Sequence, residues 1–225
     1  MDLTKSYEFF QPEMLGKSRI HVIGCGAIGS TVCENLARFG VGSSMTLYDF
    51  DKVEPHNVAN QMFVQRDIGR AKVDAVADMI LAIDPDAKSG LRLVPKGWTG
   101  QRLAGYVFLC VDDIDLRREI ATACEDNPYV KGMFDFRMGL TDAQHYAADW
   151  KDRKMVHDFI ASMAFTHEEA KEATPVSACN VPLSVCPTVR SIVAYGVANF
   201  VNFVKSGQLK KLVLSETFDL SLVTF

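Results

Sequence analysis

Apolar residues in this chain fall into short, nearly unbroken runs separated by stretches with helical spacing. Ile20-His21-Val22-Ile23 is the first run, and Met45-Thr46-Leu47-Tyr48, Leu91-Arg92-Leu93-Val94 and Tyr106-Val107-Phe108-Leu109-Cys110-Val111 come after it. Between the first two, Ile28, Val32, Leu36 and Phe39 recur at the helical repeat; after the second, Val73, Val76, Ala77, Ile80 and Leu81 do the same. The pattern predicts strands over roughly 19–23, 44–49, 91–94, 106–111 and 129–136. It predicts helices from Ala27 to about Arg38, with Gly40 as the stop, from Gly69-Arg70-Ala71-Lys72 to Asp84-Pro85, and over 114–124. The run 106–111 is apolar throughout, as expected of a central parallel strand covered on both faces. Strand–helix alternation of this kind predicts an α/β fold, a doubly wound Rossmann-like sheet with mostly parallel strands.

Beyond Phe136 the pattern changes. Arg137 to Trp150 is mixed, and Lys151 to Ala173 is charged and helical in character. Thr174 to Pro187 holds three prolines and reads as a loop. Val189, Ile192, Val193, Gly196, Val197, Phe200, Val201 and Val204 form a long helical stripe, more often core than partner surface, with Gly207 after it. Leu209 to Leu214 and Phe218-x-Leu220-x-Leu222 read as a closing strand pair, and residues 1–19 as an arm or short helix capping the domain.

The first strand leads into Gly24-Cys25-Gly26-Ala27-Ile28-Gly29. A glycine-rich turn between strand and helix leaves backbone N–H groups at the positive end of the helix dipole, which is a phosphate site. Asp49 ends the next strand, 20 residues after Gly29, where a ribose hydroxyl needs an acceptor. One domain over 1–225 is therefore expected, with 1–136 as a nucleotide-binding half and 137–225 as crossover loop, long helix and closing strands. A net charge of -4 argues against a protein whose main role is coating nucleic acid. No charged-then-apolar leader opens the sequence, and Val189 to Val204 is too short and too polar to span a bilayer, so a cytoplasmic protein is expected. None of the six cysteines forms a C-x-x-C pair, so no structural zinc is expected. The histidines at 21, 56, 145, 157 and 167 show no ligand spacing and read as surface or core residues.

The glycine turn gains meaning from the residues downstream of it: Asp49-x-Asp51-x-Val53, Asn57 and Gln61, Gly69-x-x-Lys72, then Cys110-Val111-Asp112-Asp113 four residues before Arg117. In this ordered series the chain resembles the ThiF/MoeB adenylyltransferases, the superfamily that includes the ubiquitin-activating enzymes. The likeness covers about 18–120 and, more thinly, 174–205. It implies ATP and Mg²⁺ as cofactors, with Gly24, Gly26, Ala27 and Gly29 at the phosphates and Asp49 on the ribose. It further implies Asn57 and Gln61 lining the phosphates, Lys72 neutralising their charge and Asp112 placing Mg²⁺. Asp51 belongs to the same set; for Asp51 and Gln61 a plain structural role stands beside the binding one. Asp49 and Asp112 are alternatively caps of the turns that follow their strands, but their joint placement favours the nucleotide. Such an enzyme adenylates the C-terminal carboxylate of a ubiquitin-like or sulfur-carrier-like protein, and family members dimerise. A crossover-loop thiol can then take the acyl group as a thioester: Cys179, eight residues before Pro187, is the first candidate and Cys186 the second. Both also read as ordinary loop thiols.

Two positions depart from the family pattern. Asn60 stands where N-x-x-R-Q has its arginine, and Tyr7 to Pro12 carries no base to reach into a neighbour's site. Arg66, Arg70 and Lys5 are the candidates to replace those cations, while Arg137, just past a strand, reads as a solvated surface residue or part of a protein-substrate surface. Three other functions compete with the first. They are activation of a carboxylate on a modified tRNA nucleoside, a catalytically weak nucleotide-binding subunit, and a nicotinamide-dependent dehydrogenase. The last leaves Asn57, Gln61, Lys72 and Asp112 without a use.

Overall fold

The computed structural model describes residues 1–172, 175–176 and 183–225. Strand β1 (Arg19–Ile23) enters the glycine turn and helix α1 (Ala27–Arg38); β2 (Met45–Tyr48), α2 (Lys72–Ile83), β3 (Arg92–Val94) and β4 (Gly105–Leu109) follow. Helix α3 (Ile114–Ala123) leads to β5 (Val130–Met138) and β6 (Asp142–Asp149). Helices α4 (Arg153–Ala161), α5 (His167–Glu172) and α6 (Cys186–Ser206) precede the last strands, β7 (Leu212–Glu216) and β8 (Ser221–Thr224).

The strands form one sheet in the order β3-β2-β1-β4-β5-β6-β7-β8. Pairings from β3 through β5 are parallel, and those from β5 to β8 antiparallel. The chain runs outward from β1 through β2 to β3 and then crosses back to β4 on the other side of β1, so the direction of winding reverses at β1, the place where ligands bind beyond the strand ends in such sheets. The expected doubly wound sheet, long C-terminal helix and closing strand pair are all present.

Alternation along each strand splits the core into two layers. Ile20, Val22, Leu47, Phe108, Phe134 and Phe136 pack with α1, α2 and α6. Ile23, Tyr48, Val107, Leu109, Met133 and Ala148 pack on the other face with α3 and α4. Phe108 stacks on Phe134 with ring centroids 5.0 Å apart, and Phe200 of α6 meets both rings edge-on at 5.2 and 5.4 Å. The stripe on α6 is thus core on the face that carries Val189, Ile192, Val193, Val197 and Phe200. Its end is marked by Gly207 in the left-handed conformation, φ 73°. No helix among the described residues is long and apolar enough to cross a membrane.

Three expectations differ from the structure. The mixed stretch 137–150 contains β6, paired along its length with β5. Its core-facing positions are Ala143, His145 and Ala147 rather than branched aliphatics, so it lacks the usual strand signal. The described part of the charged stretch, 151–172, holds two helices, α4 and α5, separated around Phe165. The loop read over 174–187 ends earlier than expected. Cys186 and Pro187 already form the first turn of α6, where proline's missing N–H costs nothing.

Candidate functional site

The glycine turn is shaped by two close approaches and one opening. Gly24 sits at φ +95°, and a Cβ there would lie 2.7 Å from the Cys110 carbonyl carbon, so only glycine lets the ends of β1 and β4 meet. A Cβ on Gly29 would fall 1.8 Å from the Gly24 carbonyl oxygen. Gly26 is different: a Cβ there would meet nothing within 4 Å. It is the residue before α1, no side chain caps that helix, and its first turn has no acid. Helices α3 and α4 are both capped, by Asp113 and Asp152. The first N–H groups of a helix lack intrahelical partners, so the α1 end offers bare donors, positive potential and room for an anion.

Asp49 faces this turn from β2. One of its carboxylate oxygens accepts the Cys25 N–H at 2.6 Å and the other the Asp51 N–H at 2.8 Å. Each oxygen keeps a second lone pair for a ligand hydroxyl. Burial raises the Asp49 carboxyl above its ordinary value; the two N–H donors and the Lys72 ammonium oppose that shift.

Lys72 is the first residue of α2, and its ammonium lies 2.8 Å from Asp51 Oδ2. Its own N–H donates to the Asp51 carbonyl at 2.9 Å, and Val53 N–H to Arg70 O at 2.8 Å, so residues 51–53 and 69–72 clip together. This clip explains a cation at a helix N-terminus, where the dipole disfavours it. In the protein alone, Asp51 serves as the partner of Lys72.

Residues 55–59 form a short 3-10 turn shaped by Asn57, whose Oδ1 accepts the Glu54 N–H at 2.9 Å. Met62 N–H then donates to Ser30 Oγ at 3.2 Å, docking the segment on the first turn of α1. Gln61 therefore stands beside the anion end, and its buried Oε1 has no hydrogen-bond partner among the described residues. A buried amide without a partner is costly and fits a site whose ligand supplies one.

Asp112 and Asp113 separate cleanly. Asp113 Oδ1 accepts the N–H groups of Asp115 (2.9 Å) and Leu116 (3.1 Å) and caps α3. Asp112 is exposed just past β4, and its carboxylate makes no hydrogen bond or ion pair with the described residues. Such an oxygen donor suits a hard cation shared with phosphates and water. Among the described residues no group of three His, Cys, Asp or Glu side chains gathers as a metal cage.

The replacement cations fare unequally. Arg70 is paired with Asp67 at 3.0 Å and with Asp78, and so is engaged away from the turn. Arg66 and Lys5 are exposed. Arg137 is a correction: it pairs with fully buried Asp135 at 2.7 Å, donates to Ser162 O at 2.7 Å and stacks over Tyr146. It is a strut rather than a solvated residue. Asp135 also holds Arg117 at 2.8 Å, an arrangement that an acid between Phe134 and Phe136 could have signalled.

Of the thiols, burial pushes Cys25, Cys33 and Cys110 well up, and Cys124 up to about 11. None is a candidate nucleophile. Cys179 lies outside the described residues; Cys186 is half-buried at the start of α6. Buried His21 and His145 are core residues, and His56 and His157 are at the surface.

The model of the ThiF family matches residues 8–200. Ubiquitin-like modifier-activating enzyme 5 of Bombyx mori is 30% identical over 129 residues, covering 51% of this chain and 33% of that protein. The enzyme of the same name from Culex quinquefasciatus is 30% identical over 142 residues, 56% of this chain and 34% of the relative. The chain thus spans about a third of the length of these curated relatives. Among solved structures, Escherichia coli MccB with ATP superimposes with a TM-score of 0.71 over 95% of this chain and 65% of MccB, at 14% identity. PaaA does so with a TM-score of 0.67 at 15% identity, over 95% of this chain and 65% of its own. With the matched region running from the N-terminal arm through the glycine turn and into α6, the chain belongs to the ThiF family.

Proposed function

We propose that the protein uses ATP to adenylate the C-terminal carboxylate of a small ubiquitin-like or sulfur-carrier-like protein. The observation that carries this reading is the uncapped α1 end at Gly26, open where a Cβ would meet nothing, with Asp49 and Lys72 beside it. The bare N–H groups of 26–29 and the Lys72 ammonium hold the phosphates, and Asp49 takes the ribose hydroxyls. Gln61 gains a partner on the nucleotide. Asp112 holds Mg²⁺, which supplies charge neutralisation on the phosphates when bound. A carboxylate oxygen attacks the α-phosphorus, forming an acyl–O–P bond while the bond to the leaving pyrophosphate breaks. The residues fixed in advance here spread that charge without rearranging. Family membership and the activity named for the relatives support the substrate class, as does MccB having been crystallised with ATP and with the MccA peptide. A thioester on Cys179, or on Cys186, and a cytoplasmic homodimer complete the reading.

The test is ATP–pyrophosphate exchange with carriers ending in Gly-Gly. Asp112→Asn lowers exchange about 100-fold or more and leaves stability unchanged, because Asp112 has no partner to lose among the described residues. Asp113→Ala costs about 1 kcal/mol of stability and keeps most of the exchange. Exchange that survived both Asp112→Asn and Lys72→Ala would overturn the assignment. A DTT-sensitive adduct lost in Cys179→Ala but kept in Cys186→Ala identifies the acceptor thiol. One observation favours a second reading: Asn60 replaces the family's arginine, and Arg70 is already paired. ATP binding without exchange on any carrier would make this a weak, supporting subunit.

A further inference from the structure

The end of β4 carries a clamp that the proposed chemistry has not used. Arg117 Nε lies 2.7 Å from the Val111 carbonyl oxygen, and Nη2 donates to the same oxygen. Nη1 lies 2.8 Å from Asp135 Oδ1 and donates also to the Phe136 carbonyl. Arg117 is buried, and Asp135 is wholly so, its other oxygen held by Arg137 Nε at 2.7 Å. The guanidinium therefore joins β5 to the last peptide before Asp112. On the far side of Asp112, the Asp113 side chain is fixed by capping α3. Asp112 is bracketed by two immobilised groups one residue away on either side, yet its own carboxylate is unpaired among the described residues.

A strand that has ended has no ladder to hold its carbonyls. Without Arg117, the Val111 peptide would lose both of these hydrogen bonds and could tilt, carrying the Asp112 carboxylate with it. An in-line phosphoryl reaction is sensitive to such displacements, since charge stabilisation depends on donors and metal placed beforehand. Buried charge networks are expensive to form, and this one is placed at the peptide before Asp112.

We propose that Arg117, anchored by Asp135, is a positioning residue for Asp112: it fixes the Val111 carbonyl and so sets where the bound Mg²⁺ stands. This rests on the reading of Asp112 as the metal carboxylate. Arg117 has no exposed face to offer a substrate and acts only through the backbone. Lysine at this position keeps the charge toward Asp135 but lacks the planar fork that holds one carbonyl twice.

The experiment is Mn²⁺ binding, followed by electron paramagnetic resonance, to the whole protein saturated with a non-hydrolysable ATP analogue. Arg117→Lys weakens Mn²⁺ about tenfold, as loss of a metal site's outer support does, while affinity for the analogue without metal is unchanged. Arg118→Gln is the control: the neighbouring arginine on α3 donates to the Met163 and Phe165 carbonyls and does not touch Val111. Its Mn²⁺ affinity stays at the wild-type value although stability falls. Equal weakening in Arg118→Gln and Arg117→Lys would overturn the proposal, as would wild-type Mn²⁺ affinity in Arg117→Lys. Mn²⁺ binding that survives Asp112→Asn would instead sink the reading of Asp112 itself; loss there with none in Arg117→Lys sinks the clamp alone. If Arg117→Lys does not fold, Asp135→Asn, which loosens the anchor with little change of shape, reads the same quantity in the same direction.

Discussion

At and beside the carboxyl ends of β1, β2 and β4, polar groups keep part of their bonding capacity in reserve: Asp49 retains lone pairs, and neither Gln61 Oε1 nor the Asp112 carboxylate has a partner among the described residues. On β5 and β6 the reverse holds. Asp135 spends both oxygens on two arginines, and His145 is wedged between the Asp135 carbonyl at 3.0 Å and the Asn199 amide at 3.2 Å. Both regions lie in one sheet and contain acids flanked by aromatics. The first leaves bonding capacity open, as the proposed nucleotide site requires; the second spends it. Burial and satisfaction, more than residue type, separate a site from a strut.

The sharpest way to break this contrast is within the glycine turn. Gly29→Ala places a Cβ into the Gly24 carbonyl and is expected to cost at least about 4 kcal/mol in urea denaturation. Arg137→Ala leaves Asp135 with half its compensation, and about 3 kcal/mol should be lost with nucleotide affinity intact; a fall in affinity equal to that of Lys72→Ala would merge the two regions. Burial pushes His21 and His145 down to about 4 from an ordinary 6.5. Between those values the unfolded chain binds more protons than the folded one. Stability is then full above about pH 6.5 and falls toward pH 4, each histidine contributing a slope of up to about 1.4 kcal/mol per pH unit. His145→Asn should flatten part of that loss in denaturation curves at pH 7 and 5. Smallest in stability is Gly26→Ala, at under about 1 kcal/mol. Its effect should fall on ATP affinity measured by calorimetry. A large stability loss there would mean the opening is structural.

The parallel half was legible because each of its elements announces itself locally. Unbroken apolar strands, helical spacing and the Gly24 to Gly29 turn need no knowledge of distant residues. The ordered aspartates and Lys72 marked their strand and helix ends in the same way. What escaped depends on partners far along the chain. Strand β6 hides because Ala143, His145 and Ala147 fill a face already crowded by Phe134, Phe136 and α6. Arg137 reads as a surface residue until Asp135, Ser162 and Tyr146 close around it. The split between Asp112 and Asp113 turns on which of two adjacent carboxylates meets the α3 N–H groups, a matter of backbone angles.

The burial of thiols under the glycine turn has a practical side. Cys25, Cys33, Cys110 and Cys124 lie in the core with their thiols held protonated. An alkylating reagent acts on thiolate it can reach, so these four are slow targets in the folded protein. Labelling under native conditions therefore leaves these four aside without any cysteine being removed. Following the same reagent through a urea titration turns the four silent thiols into a clock for opening of the sheet.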